Sequence, residues 1–392
     1  MDNRYILILS EDFPPKTGGI AQWAVGVATR LHELGHRVIV VTRRWKELPE
    51  HAPGTYGFDL RYVYGNHWKK LRTWYWRRAV ARLYAEGIRP RLMIATTWNA
   101  ARGNIAIAKK NGARTAIVVH GLEVTRRMNF FKQWWCYRTL LGSDAVIAVS
   151  AFTGNRVTEA FPVIAKKLSV IPNGVDIQRF KPGIETAALR ERLALKDRKV
   201  LLTLARIVER KGYDQVIRAL GTIVKKVPDV AYIIAGDPEG DYAQTLRTMV
   251  SELRLENNVR FAGYVHNAEL PVFYNLCDAY VMPSREIASS GDTEGFGITF
   301  LEANACEKPV IGGNSGGVAD AVINGETGFL VDPLDPAAIA EKAILLLTDQ
   351  ALAKKLGKQG RERIVKGFTW KAVAKRLIAL TEDTKGTEEE YE

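Results

Sequence analysis

Short, nearly uninterrupted apolar runs alternate along this chain with longer stretches of helical periodicity. In the first half the runs Tyr5–Ser10, Arg37–Thr42, Leu92–Thr97, Thr115–His120 and Ala145–Ser150 predict strands, and their continuity is that of strands covered by helices on both faces. Gly18–Leu34 predicts the first crossover helix, closed at Leu34-Gly35-His36 with Gly35 just past its end. The pattern restarts after Ile171-Pro172-Asn173-Gly174-Val175-Asp176 and a polar stretch to Lys199. Its strands are Val200–Ala205, Ala231–Ala235, Val259–Ala262, Ala279–Pro283, Pro309–Ile311 and Phe329–Val331. Residues 336–384 read as helical, and the tail from Thr384 to Glu390 as acidic and frayed. Strand–helix alternation of this kind predicts α/β architecture: two Rossmann-like, doubly wound domains in tandem, with a boundary near 172–199. Such sheets bind ligands at the carboxyl ends of their strands, so two facing domains would hold a ligand in the cleft between them.

Composition narrows the class. The 392 residues are 47% hydrophobic and 25% charged, which excludes wholesale disorder. Cys136, Cys277 and Cys306 are few and widely spaced, so they form neither a disulfide framework nor a zinc set and fit a reducing, cytoplasmic setting. No apolar run reaches bilayer-spanning length. Met1-Asp2-Asn3-Arg4 runs straight into a strand pattern, so no signal peptide is expected.

Charge is uneven. Residues 1–175 carry 27 Lys+Arg against 11 Asp+Glu, a net of +16, whereas the remainder carries a net of −3. Eight of the nine tryptophans also lie in the first part. That half is expected to meet something anionic: nucleic acid, an anionic membrane surface or a phosphorylated small molecule. Arg61–Arg78 and Arg126–Arg138 mix cations with aromatics. They read either as interfacial anchors on anionic lipid or as solvated basic helices whose aromatics enter the core.

Four motifs could carry chemistry. Ser10-Glu11-Asp12-Phe13-Pro14-Pro15-Lys16-Thr17-Gly18-Gly19-Ile20 ends a strand and opens a helix with two glycines. That turn could bring backbone N–H groups to a phosphate or serve tight packing alone, and it lacks the dinucleotide G-x-G-x-x-G. His120, in Val118-Val119-His120-Gly121-Leu122-Glu123, ends a core strand and could bond a sugar hydroxyl or be a satisfied structural residue. Arg206 ends the second domain's first strand, five residues before Lys211. The pair could clamp a diphosphate or belong to a solvated basic loop. In Glu294-Gly295-Phe296-Gly297-Ile298-Thr299-Phe300-Leu301-Glu302 a helix begins near Gly297 or Ile298, and its first amides could take phosphate or sugar oxygens. Glu294 and Glu302 stand too far apart for an i,i+4 pair and could reach different hydroxyls of one ligand. Glu286, seven residues before Glu294, lies in a loop and its matching spacing reads as chance.

Taken in order, these motifs resemble those of the retaining glycosyltransferases of family 4, which have the GT-B fold. Asp12-Phe13-Pro14-Pro15 with Gly18-Gly19-Ile20, His120-Gly121-x-Glu123, Ile171–Asp176, Arg206 with Lys211, and Glu294-x7-Glu302 all fall in register. Ser315-Gly316-Gly317 and Gly325-Glu326-Thr327-Gly328 are similar to the family's late glycine pair and turn. The nearest flavour is that of the phosphatidyl-inositol mannosyltransferases and related lipid or polysaccharide glycosyltransferases. Two positions depart from the pattern: Asp320, where glutamate is frequent, and Ala205, where glycine is common.

The resemblance implies an N-terminal acceptor-binding domain (1–175), a nucleotide-sugar-binding domain (176–368) and a C-terminal helix (369–392) returning near Trp370 to the first. It implies that Gly19 sits beside the leaving diphosphate, that Arg206 and Lys211 neutralise it, and that the amides of Ile298 and Thr299 support it. Glu294 with the amides of Phe296 and Gly297 would hold the donor sugar, Glu302 the ribose, Tyr264-Val265 the base, and His120 the sugar near its reacting face. The reaction expected is transfer of a hexose, with mannose the first choice, from GDP-mannose or a UDP-sugar to a saccharide or lipid-linked acceptor. The sequence offers no D-x-D placed for a divalent metal, so a metal-independent course is expected, with Asp12 the one carboxylate to test as a nucleophile. The setting expected is cytoplasmic or peripheral on the inner face of the cytoplasmic membrane. The alternatives are another GT-B enzyme, such as a sugar-nucleotide 2-epimerase or a sugar-phosphate transferase, and a basic nucleic-acid-binding protein. The last leaves the motifs of the neutral second half unexplained and brings no nucleic-acid-binding signature.

Overall fold

The computed structural model describes residues 5–45, 54–64, 71–125, 128–237 and 240–382. The Met1–Arg4 run, part of both basic aromatic segments (65–70 and 126–127) and the acidic tail from Thr384 lie outside the described residues. Contacts divide the chain into two units: residues up to Gly174 together with those from Trp370 onward, and Val175–Thr369.

The first unit is built on seven strands: β1 (Tyr5–Ser10), β2 (Val38–Arg43), β3 (Asp59–Val63), β4 (Pro90–Ala95), β5 (Arg114–Val119), β6 (Ala145–Ala148) and β7 (Leu168–Val170). All pairs are parallel, in the order β3-β2-β1-β4-β5-β6-β7. In the central strand Leu7 lies opposite Ile39 on one side and Met93 on the other, and all three are fully buried. Five strands appear where the apolar runs stand, β1 with the expected bounds and the other four with ends shifted by one or two residues. β3 and β7 were not expected. They form the two sheet edges, β3 alternating exposed and part-buried residues and β7 spanning three residues, so neither produces the apolar run of a doubly covered strand.

Helix Gly19–Glu33 follows β1 and buries Trp23, Ala24, Val27, Ala28 and Leu31 at three- and four-residue spacing. It closes as the sequence predicts. Gly35 has a φ of 87°, and the amides of Gly35 and His36 reach back to the carbonyls of His32 (2.9 Å) and Leu31 (3.0 Å). The helix Trp370–Glu382 packs against it within the same unit, burying Val373, Ala374 and Leu377. Two glycines make room for its first residue. A Cβ on Gly26 would stand 2.5 Å from the Trp370 ring, and one on Gly174 would stand 2.7 Å from its backbone nitrogen.

The second unit contains β8 (Lys199–Leu204), β9 (Val230–Ala235), β10 (Val259–Gly263), β11 (Ala279–Met282), β12 (Val310–Gly313) and β13 (Gly328–Val331), parallel in the order β10-β9-β8-β11-β12-β13. Helix Tyr213–Lys226 covers it with Val216, Ile217, Leu220 and Ile223. The helical stretch expected over 336–384 is three helices, Pro336–Thr348, Gln350–Gly367 and Trp370–Glu382, of which the first two belong to this unit. Each sheet reverses its strand order once, at β1/β4 and at β8/β11. Loops diverge at such a reversal and leave a crevice at the strand ends.

Candidate active site

The second unit's reversal point gathers most of the residues singled out in the sequence. Arg206 lies just past the carboxyl end of β8 and is exposed. A 3-10 turn, Glu209–Lys211, follows and buries Arg210 and Lys211. Gly212, with a φ of 75°, starts helix Tyr213–Lys226. A side chain there would run into the carbonyl of Pro283 beyond β11, so glycine lets the turn lie against the β11 loop.

That loop delivers Glu294. Its carboxylate accepts from Arg210 Nη1 at 2.6 Å and from the Lys211 ammonium, both on Oε2. Arg210 Nε also pairs with Asp292 Oδ1 at 3.2 Å. Burial pushes the Lys211 ammonium down to about 8, against the pull of Glu294 and with further pressure from Arg210 and Arg206. Burial alone would raise the Glu294 carboxyl, but Lys211 and Arg210 bring it down to about 2. The group is thus a closed ion cluster near neutrality, held within reach of Arg206's charge.

The loop and the turn are fastened from both sides. Arg285 donates to both carboxylate oxygens of Asp214, at 2.8 and 3.1 Å, and to Glu209 at 3.3 Å, while its backbone N–H donates to the Arg210 carbonyl at 2.8 Å. Tyr242 and Gln215 complete the shell around Asp214, each at 2.8 Å. Arg210, Arg285, Asp214 and Asp292 were missed in the sequence. A basic turn and a polar loop announce nothing until folding joins them across more than 70 positions.

Gly297 has a φ of 93° and precedes helix Ile298–Ala305, so the amides of Ile298 and Thr299 belong to a first turn without intrahelical acceptors. Phe296 is buried and stacks on Phe368, ring centroids 6.5 Å apart. Glu302 is also buried and accepts from the Tyr274 hydroxyl at 2.6 Å. Beyond β10, Val265 is buried, whereas Tyr264 is exposed and meets His266 edge-on. The late glycine pair acquires a purpose: the N–H of Gly317 donates to the Glu294 carbonyl at 2.8 Å, and a Cβ on Gly316 would stand 2.5 Å from that oxygen.

In the first unit, Asp12, Gly19 and His120 stand at the carboxyl ends of β1 and β5, on either side of β4. Burial raises the Asp12 carboxyl while Lys16 and Arg43 oppose it. Gly19 is the exposed first residue of its helix, capped by Gly18 at a φ of 134°. His120 meets Trp23 edge-on at 5.9 Å, and burial lowers its pKa to about 3, so the imidazole is neutral at physiological pH. Its Nε2 is buried without a hydrogen bond, an open valence at a strand end. The neighbouring Glu123 accepts from the His120 backbone N–H.

Two α/β units, each with a parallel sheet that reverses its strand order once, have the architecture of the GT-B fold. The comparisons agree. Residues 17–179 match Glycosyltransferase Family 4, and residues 185–363 match Glycosyl transferases group 1. The chain belongs to glycosyltransferase family 4. It is 35% identical, over 96% of its length and 97% of the relative's, to the GDP-mannose-dependent alpha-(1-6)-phosphatidylinositol monomannoside mannosyltransferase of Mycolicibacterium smegmatis. It is 30% identical, over 96% and 98%, to the GDP-mannose-dependent monoacylated alpha-(1-6)-phosphatidylinositol monomannoside mannosyltransferase of Corynebacterium glutamicum. Among solved structures, sucrose-phosphate synthase of Thermosynechococcus elongatus superposes with a TM-score of 0.79 at 24% identity, covering 96% of this chain and 98% of its own. Anabaena HepE in complex with UDP and glucose gives 0.78 at 20%, with the same coverage. These two share the fold. Among the described residues no helix is long and apolar enough to cross a membrane.

Proposed function

We propose that this glycosyltransferase moves a mannosyl group from GDP-mannose to a hydroxyl of a glycolipid or other lipid-linked saccharide, with retention of configuration and without a metal. The observation that carries the reading is the Arg210–Lys211–Glu294 cluster beside Arg206 at the second unit's strand ends. The relatives' GDP-mannose and phosphatidylinositol mannoside substrates support the choice of donor and acceptor.

In this reading the second unit holds the donor. Arg206, Lys211 and the amides of Ile298 and Thr299 meet the diphosphate, where negative charge grows as the glycosidic bond breaks. Glu294 and the amides of Phe296 and Gly297 hold the sugar, Glu302 the ribose, and Tyr264-Val265 the base. His120, uncharged, offers its open ring nitrogen to a sugar hydroxyl and takes no part as an acid. The acceptor hydroxyl attacks from the face the diphosphate leaves, the new C–O bond forms as the old one breaks, and a phosphate oxygen takes the proton. A double displacement would require a carboxylate at the anomeric carbon. Asp12→Asn tests that route, and near-normal turnover in the variant excludes it.

The first unit supplies the acceptor and the membrane contact. Helix Phe130–Gly142 presents Phe130 and Phe131 at 75% and 74% exposure and Trp134 and Trp135 at 43% and 39%. Cations accompany them, with Arg102 stacked 3.9 Å over Trp135. Aromatics exposed beside cations suit an anionic lipid interface. A groove of about 600 Å³ between β3 and helix Arg72–Ala85 adds Arg61, Arg78, Arg82, Tyr64 and Trp74.

The test is a melting-temperature panel of GDP-, UDP- and ADP-sugars, followed by turnover with the stabilising donor and a phosphatidylinositol mannoside, with and without EDTA. GDP-mannose should raise the melting temperature, and GDP plus a mannosylated lipid should accumulate with EDTA present. Epimerised nucleotide sugar as the product, or stabilisation by UDP-sugars alone, would overturn the reading.

A further inference from the structure

We infer that Arg210 is the resident counter-ion of Glu294, and that it frees Lys211 to leave that carboxylate for the donor's diphosphate. The inference rests on the proposed donor-binding role of this unit and deepens it.

Two cations share one oxygen of Glu294, and they are held differently. Arg210 is fixed at three points: Nη1 on Glu294, Nε against Asp292, and its carbonyl on the Arg285 backbone N–H. Arg285 is itself locked on Asp214 by two hydrogen bonds. Among the described residues the Lys211 ammonium has Glu294 as its one side-chain hydrogen-bond partner, on a stem with four rotatable bonds. Glu294 is only 13% exposed in its side chain.

A buried carboxylate stripped of its only counter-ion is strongly disfavoured. Without Arg210, a diphosphate and Glu294 would compete for a single ammonium. With Arg210 in place, Lys211 can turn to the diphosphate while Glu294 stays ionised and neutralised, its Oε1 and the vacated side of Oε2 directed to sugar hydroxyls. Arg210 is therefore a positioning residue. It acts through Glu294 and Lys211 and touches neither diphosphate nor sugar.

The prediction concerns coupling. Calorimetric GDP binding should weaken about tenfold in Arg210→Met, within the range of directly coupled neighbours. In the Glu294→Gln background, where no carboxylate competes for Lys211, the same substitution should cost less than about twofold. Glu294→Gln alone should bind GDP at least as tightly as the wild type, and Arg210→Lys should restore most of what Arg210→Met loses. Unchanged GDP binding in Arg210→Met would overturn the inference, as would an equal loss in both backgrounds, which marks direct contact or a purely structural role. If Arg210→Met does not fold, as judged by its melting transition, Glu294→Gln alone decides: weaker GDP binding than the wild type overturns the proposal. Failure of the donor reading has a different signature, since the wild-type protein itself would then bind no GDP.

Discussion

Lys211 and Glu294 each hold a charge that burial opposes: Glu294 favours the Lys211 ammonium, and Lys211 and Arg210 together keep the Glu294 carboxylate ionised. Lys211→Ala should therefore lower kcat/KM by about 10²–10³, the scale of a lost transition-state electrostatic contact, with the melting temperature reporting the fold separately. Because the Lys211 ammonium is held down to about 8, it is charged below that pH and neutral above it. The kcat/KM for donor, which reports the free enzyme, should fall as pH rises through about 8, and Lys211→Arg should move that limb upward. The Glu294 carboxyl is brought below its ordinary 4.5 to about 2, so its contribution to stability is present above 4.5 and lost as pH falls from there toward 2. Urea unfolding between pH 5 and 2 should show a shallower decline in Glu294→Gln. Lys211, Glu294 and His120 were singled out in the sequence because each stands in a short motif, His120 just past β5, Lys211 in the turn after β8 and Glu294 before helix Ile298–Ala305. Arg210 stands in the same motif and was not, since its partners, Asp292 and Glu294, lie more than 80 residues on and only the approach of two loops assembles them.

Among the elements, glycines set the distances on which the site depends. Gly316, at a φ of 60°, lies under the backbone of Glu294. Gly316→Ala combines left-handed strain with a clash against that carbonyl, so it should cost about 1–3 kcal/mol in chemical denaturation and depress activity by shifting Glu294. Nine of the eleven expected strands were readable because burial on both faces leaves an unbroken apolar run, whereas the edge strands β10 and β13 are only part-buried and were betrayed by their short apolar runs alone. β3 was hidden by its edge position, where Asp59 and Arg61 are exposed. β7 was hidden by its length. Division of the expected C-terminal helical stretch turned on Asp349 and Thr369, ordinary polar residues whose role as breaks emerges only from packing: Asp349 caps helix Gln350–Gly367 through the Leu352 amide at 2.9 Å, and Thr369 bridges to Val175.

At the scale of the molecule, the net +16 of residues 1–175 and the exposed aromatics of helix Phe130–Gly142 predict one behaviour. Binding to vesicles containing anionic lipid should weaken with salt, and Phe130→Asp with Phe131→Asp should abolish it while leaving donor binding intact. Equal sedimentation with neutral and anionic vesicles would contradict the prediction.

The helix Trp370–Glu382 belongs to the unit that begins the chain, although the whole of Val175–Thr369 is translated before it. The ribosome thus finishes the second unit while the first still lacks a wall. A polypeptide stopped at residue 174 would display the groove around Gly26 that Trp370 fills, and should aggregate. Joining residues 370–382 to that fragment through a flexible tether should yield a soluble, cooperatively melting product. Completion of the first unit is thereby timed by a stretch that is decoded only after the whole of the second.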